Sequence, residues 1–354
     1  MSRVMRLTLA VAVCAVLTGC GTAATSPGQP VASEQNVSFA VDGTTTYGTL
    51  DIPAHRAGQR LAAALLLAGS GPTDRNGDDP GAGVEPHTLQ LIAGVLGRYG
   101  IMTLRFDKYF SGQTGSGAYA GDPGSITLAA FIHQADAAYG FLKSQPAADP
   151  KRLLVVGHSE GGMYALLVAS SVTPRPAGLA LLEPQDERLL SLVQLQTDEQ
   201  LNAEAAQFAI SDADAEQNAA AVKNAIAAFR AGRHPAAGGM LPQVVRSVSS
   251  ILFSPVNAAY VRSDDDVYPP SRAEGLAAGT RVLVTDGTAD INVPPSTIGP
   301  LVTALRQARA AGPGLRMLPD VDHFLHLPGM APDDQVLAPA FTAALRAWAS
   351  PYRA

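Results

Sequence analysis

Cysteine is nearly absent. The 354 residues hold two, Cys14 and Cys20, too few for a disulfide framework or a cysteine-built zinc site. Charge is sparse as well, at 16% of residues, and neither sign dominates: 25 Lys and Arg stand against 31 Asp and Glu, a net charge of −6. A nucleic-acid partner requires a basic stripe, and electrostatic attachment to anionic lipid requires clustered Lys and Arg; the composition argues against both. The N-terminal apolar run, Leu7–Leu17, is far short of the ~20 residues a spanning helix needs. No internal repeat of solenoid-like period is evident. What the chain has in quantity is apolar material, 47% of residues, ample for a packed core and incompatible with global disorder.

Arg3 and Arg6 precede Leu7–Leu17, and Leu17-Thr18-Gly19-Cys20 follows. A positive segment, a short apolar segment and a small-residue end make a secretory signal. The tetrapeptide resembles the bacterial lipobox. That resemblance implies a lipoprotein signal peptide over 1–19, acylation of Cys20, and a lipid-anchored protein on the extracytoplasmic side of the cell membrane. Cys14 would leave with the signal, so no thiol would remain for catalysis or a metal. Residues 20–36, rich in Thr, Ala, Ser, Gly and Pro, read as a flexible tether.

Val37–Pro53 alternates apolar and polar residues around Asp42-Gly43, which predicts an antiparallel hairpin. From Leu61 the rhythm changes to continuous apolar runs: Leu61–Ala68, Ile101–Phe106, Leu153–Val156, Gly178–Leu182, Arg281–Thr285 and Leu315–Leu318. Such strands are buried on both faces, as in a parallel sheet covered by helices. Helical patterns separate them at Thr88–Arg98, Leu128–Leu142, Gly162–Ser170, Pro300–Ala310 and Asp333–Ala349. The alternation predicts an α/β domain over 37–183 and 271–354. The interval 184–270 is too long for a crossover. Its helical stretches Leu189–Ile210 and Ala213–Ala231 read as an inserted helical cap.

Gly157-His158-Ser159-Glu160-Gly161 lies between a predicted strand and a predicted helix. The five letters are weak alone; that context makes them a nucleophile elbow with Ser159 at its tip. Flanking glycines remove side chains that would clash across the turn, and the helix that follows favours developing negative charge. A serine hydroxyl needs a base, and the base an orienter. Of seven histidines, His323 and His326 follow the last predicted strand, where the base of such a site belongs. His323 is preferred. For the acid, Asp290 lies beyond the turn after Arg281–Thr285. Asp286, at the strand end, could instead bond its own turn, and Glu183 is a third candidate. The oxyanion needs two backbone N–H donors. Glu160 supplies one, and Ser70, or Gly71, the other, from the loop Gly69-Ser70-Gly71-Pro72. Asp74 and Arg75 are expected to hold that loop by local hydrogen bonds.

These segments resemble the α/β-hydrolases of the serine aminopeptidase-like and cinnamoyl-esterase-like group. The residues that carry the resemblance are Ala68 to Arg75, Arg105-Phe106-Asp107-Lys108, Gly157 to Gly161, Gly287 to Pro294, and His323. It spans roughly 38–182 and 271–350. The chain departs at Ala68, where the group has His, and at Lys108-Tyr109-Phe110, where it has Arg-Gly. The resemblance implies the α/β-hydrolase fold, a mostly parallel central sheet flanked by helices, and hydrolysis of esters, with amides and thioesters as alternatives. The expected partner is a small acyl substrate; no nucleic acid, obligate protein partner, cofactor or metal motif is read. A non-catalytic lipoprotein binding an apolar ligand under the cap is the alternative of a different class.

Overall fold

The structure, a computed structural model, describes residues 32–236, 238–329 and 336–353. The expected signal peptide, Cys20 and most of the expected tether lie outside these residues.

The first pair of strands, β1 (Ser33–Val41) and β2 (Thr44–Ile52), is antiparallel. Asp42 and Gly43 join them with φ of 46° and 76°, the left-handed pair a two-residue hairpin turn requires. β1 begins inside the stretch read as tether. As an edge strand it is exposed over its first half, so it shows no apolar alternation there.

Six further strands follow: β3 (Leu61–Leu67), β4 (Met102–Phe106), β5 (Ala148–His158), β6 (Gly178–Leu182), β7 (Arg281–Gly287) and β8 (Ala311–Leu318). The sheet runs β1-β2-β4-β3-β5-β6-β7-β8, parallel from β4 onward and antiparallel at the β1–β2 and β2–β4 pairs. Successive side chains serve opposite faces. In β3, Leu61, Ala63, Leu65 and Leu67 enter one core while Ala62, Ala64 and Leu66 enter the other. Helices α2 (Leu128–Ser144) and α3 (Glu160–Ser171) cover the first face; α1 (Thr88–Gly97) covers the second, together with the C-terminal helix Pro339–Ala349. That last helix starts later than expected. Val336–Ala338 are not helical, and Pro339 occupies the first turn, where its missing N–H costs nothing.

Between β6 and β7 stand α4 (Leu189–Ala206), α5 (Asp212–Arg230), a π-helical segment Val245–Leu252 and α6 (Ala258–Asp265). They share a core of their own, with Leu190, Val222, Ile226, Phe229, Phe253 and Val261 buried in it. Asp265 locks the cap together. Its carboxyl accepts from Arg230 at 2.7 and 2.9 Å and from the Leu190 main-chain N–H at 2.9 Å.

Candidate active site

The strand β5 feeds α3 through a single residue, Ser159, whose φ of 56° and ψ of −124° place it in a conformation non-glycine residues rarely adopt. Strain of this kind costs on the order of 1–3 kcal/mol and persists only where the surroundings enforce it. The enforcement is visible. The Ser159 N–H donates to Leu182 O at 2.9 Å, and its carbonyl accepts from Gly162 at 2.8 Å and Gln185 at 2.9 Å. Gly157 allows the turn to close, since a Cβ there would fall 1.9 Å from Gly161 O. Ser159 remains 9% exposed and lines a large cavity beneath the cap, together with His323.

His323 sits in the turn after β8. Its Nδ1 lies 2.7 Å from Asp290 Oδ2. The other oxygen, Asp290 Oδ1, accepts from the N–H groups of Asn292 at 2.7 Å and Val293 at 2.9 Å. An N–H at Nδ1 leaves Nε2 with its lone pair. The loop that carries His323 is shaped by Asp322, whose Oδ1 accepts from Phe324 and His326 N–H groups at 2.9 and 2.8 Å. His326 is buried and belongs to this turn; the ring that reaches the Asp290 carboxyl is that of His323.

His158 is a part of this site that motif reading passes over, because it occupies the variable position of the elbow. Burial first, then the neighbouring His323 ring, pushes its pKa down to about 3. The neutral ring donates Nε2–H to the His323 carbonyl at 2.7 Å.

Asp286 does not hold its own turn. It is buried beside Glu183, whose Oε2 accepts from the Gly287 N–H at 2.7 Å. Carboxyl oxygens of Glu183, Asp286 and Asp290 converge within 4.8 Å of one another. Burial, reinforced by the Asp290 carboxyl, pushes Asp286 up to about 8 and Glu183 well above its ordinary range. Asp290 already commits both oxygens to His323 and the main chain, so the trio fits a pair of neutral acids behind Asp290 better than a cation site.

The loop after β3 passes directly over Ser159. A Cβ on Gly69 would stand 3.1 Å from Ser159 Cβ, and Ser70 and Gly71 line the cavity. Glu160 opens α3, so its N–H belongs to the helix's first turn, which has no intrahelical acceptor. Asp74 holds the loop locally, accepting from Asn76 at 2.7 Å and Asp78 at 3.2 Å. Arg75 acts at longer range than expected. Its guanidinium grips Asp107 at 2.6 and 3.0 Å and donates to Gly48 O at 3.0 Å, binding the loop to β2 and the end of β4.

Lys108, Tyr260 and Asp264 also belong to the site. Lys108 is buried and donates Nζ–H to Gly69 O, and Nζ lies 3.5 Å from Glu160 Oε2. The Tyr260 hydroxyl, from α6 of the cap, donates to Glu160 Oε1. Tyr260 and Tyr164 hydroxyls are 2.8 Å apart, and Asp264 Oδ1 accepts from Gln185 at 3.0 Å. Burial, with the nearby Glu160 charge, raises Asp264 well above its ordinary range.

The cavity measures about 1190 Å³. Phe131, Leu189, Leu192, Val193 and Leu252 give it apolar wall, and along α4 the lining turns from Leu189, Leu192 and Val193 to the polar Gln196, Gln200 and Glu204.

No protein-family model matches the sequence, and no curated protein is significantly similar to it. Solved structures are similar in fold. An esterase of Pyrococcus furiosus superposes with a TM-score of 0.57 at 13% identity, over 90% of this chain and 91% of its own. Est1E of Butyrivibrio proteoclasticus, with ferulic acid bound, gives 0.54 at 15% identity, over 89% and 98%. A proline iminopeptidase of Mycobacterium smegmatis gives 0.50 at 17% identity, over 82% and 92%. Esterases and a peptidase thus share one scaffold, so the scaffold does not choose between their reactions. With its mostly parallel sheet flanked by helices, the chain has the α/β-hydrolase fold.

Proposed function

We propose that the protein is a serine hydrolase that cleaves carboxylic esters through an acyl-enzyme. One observation carries the reading: the 2.7 Å contact between His323 Nδ1 and Asp290 Oδ2, beside a Ser159 held in a strained turn over the same cavity. Ser159 Oγ attacks the acyl carbonyl while His323 Nε2 takes its proton. Asp290 holds the ring in the tautomer that makes Nε2 the acceptor. The N–H groups of Glu160 and Ser70 bind the oxyanion. Collapse expels the alcohol, which takes the proton from His323, and water then repeats the sequence to release the acid.

The apolar residues that line the cavity with Ser159, among them Phe131, Leu189, Leu192, Val193 and Leu252, favour an apolar acyl group. A panel of p-nitrophenyl acyl esters, run beside an aminoacyl-anilide panel, tests this. Ester turnover that disappears in Ser159→Ala supports it. Turnover of anilides alone contradicts the ester assignment, and ester turnover that survives Ser159→Ala contradicts the nucleophile.

The lipobox-like Leu17-Thr18-Gly19-Cys20 supports a second element of the proposal, acylation of Cys20 and anchorage at the extracytoplasmic face. Among the described residues no helix is long and apolar enough to cross a membrane. Incorporation of labelled palmitate, lost in Cys20→Ala with release from the membrane fraction, is the expected result. Membrane association unchanged in Cys20→Ala contradicts it.

A further inference from the structure

Glu160 poses a physical problem. Under the reading above, its N–H binds an oxyanion, yet its own side chain is a carboxyl, and the residue is only 2% exposed. A buried negative group beside a developing negative charge opposes the reaction unless something neutralises it. Lys108, 4% exposed, does so from the end of β4. Burial pulls the ammonium pKa down, while Glu160 pulls it back up.

Lys108 makes a second contact, and it bears on the other oxyanion donor. Its Nζ–H donates to Gly69 O. The Gly69 carbonyl and the Ser70 N–H belong to one rigid planar peptide unit. Fixing that oxygen fixes the direction of that N–H. The unit rests against the nucleophile, since a Cβ on Gly69 would meet Ser159 Cβ at 3.1 Å. Glu160 in turn is tied to the cap through the Tyr260 hydroxyl. One buried chain, Gly69–Lys108–Glu160–Tyr260, therefore connects the peptide bearing one donor, the residue bearing the other, and the cap.

We infer that Lys108 and Glu160 form a brace that sets the position of the two oxyanion-binding N–H groups relative to each other, with Tyr260 linking the brace to cap closure. They are positioning residues: they act through the backbone of the Ser70 and Glu160 N–H groups and do not touch the reacting atoms. The inference rests on the serine-hydrolase reading. It assigns a purpose to a buried Lys that the mechanism otherwise leaves unused, and it makes the cap part of the catalytic geometry rather than only a wall for the acyl group.

The test compares the full-length parent with Lys108→Met, Glu160→Gln, the double variant and Tyr260→Phe. Each is assayed for kcat and KM on one neutral and one anionic ester. Affinity is measured for a trifluoromethyl ketone, which forms an oxyanion adduct on serine, and for the matching non-fluorinated methyl ketone, which mimics ground-state binding. Lys108→Met should lower kcat by about 10- to 100-fold and weaken the fluoroketone in parallel. KM and the methyl ketone should move by less than about threefold. The double variant should be no worse than Lys108→Met alone, because both substitutions break one unit. Tyr260→Phe removes one hydroxyl without adding volume and should give a smaller loss of the same kind, which keeps the test decisive if Lys108→Met does not fold. The brace is overturned if both Lys108→Met and Tyr260→Phe retain parental kcat. It is also overturned if the loss falls equally on both ketones, or if it appears only in KM for anionic esters, which would make Lys108 a reader of substrate charge. A parent that neither turns over esters nor binds the fluoroketone defeats the hydrolase reading itself, an outcome distinct from failure of the brace.

Discussion

The His158 ring donates its Nε2–H to the main-chain carbonyl of His323 at 2.7 Å, so the residue before Ser159 holds the loop that carries His323. The bond needs a hydrogen on Nε2, and burial keeps the ring neutral down to about pH 3.

Burial of that ring predicts an acid-side stability slope. The unfolded chain protonates this ring below about 6.5, whereas the folded chain resists until about 3. Between those values the unfolded state binds more protons, so stability falls as pH falls, by up to ~1.4 kcal/mol per pH unit. His158→Ala should flatten this slope in denaturant titrations across pH 3–6.5. At neutral pH it should cost about 1–3 kcal/mol, because the His323 carbonyl loses its donor in a buried site.

Asp286 predicts the opposite trend. Its pKa rises from 3.8 to about 8 on burial, so across that window the folded state keeps a proton that the unfolded state has lost. Stability should decline as pH rises through the window. Asp286→Asn imitates the neutral acid and should remove this component, leaving the variant relatively more stable than the parent at pH 8. A parallel pH dependence in the two proteins would contradict the assignment.

Asp290→Asn separates orientation from folding. The Asn carbonyl can still accept from the Asn292 and Val293 N–H groups, which Asp290 now holds at 2.7 and 2.9 Å. Its NH₂ would then face His323 Nδ1, turning the ring to the tautomer with hydrogen on Nε2. The expected loss in kcat is roughly 10³–10⁴-fold, with a melting temperature close to that of the parent.

The apolar residues lining the cavity predict chain-length selection. Val193 of α4 lines the cavity. Val193→Trp should leave kcat/KM for acetyl esters nearly intact and lower it progressively as the acyl chain lengthens. A uniform loss at every length would place the acyl group elsewhere.

Much of this arrangement is legible in the chain before folding. Runs such as Leu61–Ala68 and Gly178–Leu182 are buried on both faces, so composition alone marks them as interior strands. The elbow is legible because its glycines are sterically required: at Gly161 a Cβ would fall 2.3 Å from Leu67 O. The last strand is less visible, since Gly312, Pro313 and Gly314 interrupt its apolar pattern before Leu315. The brace is not legible at all. Lys108, Glu160 and Tyr260 are far apart in sequence, and only the packing of β4, α3 and cap helix α6 brings them together. Nothing local to Lys108 reveals what it holds. The Asx-like turn of Asp290 is local, whereas the neutral pair Glu183 and Asp286 behind it is a consequence of β6 and β7 lying side by side.

The central claim is that one hydroxyl in this molecule is activated by one imidazole. Reaction with a fluorophosphonate, followed by peptide mass mapping, tests it most directly. A single phosphonyl adduct on the peptide carrying Ser159, formed by folded parent and absent from Ser159→Ala and His323→Ala, is the predicted result. Folded parent that takes no adduct, or that takes it on a different residue with Ser159→Ala equally reactive, would contradict the account.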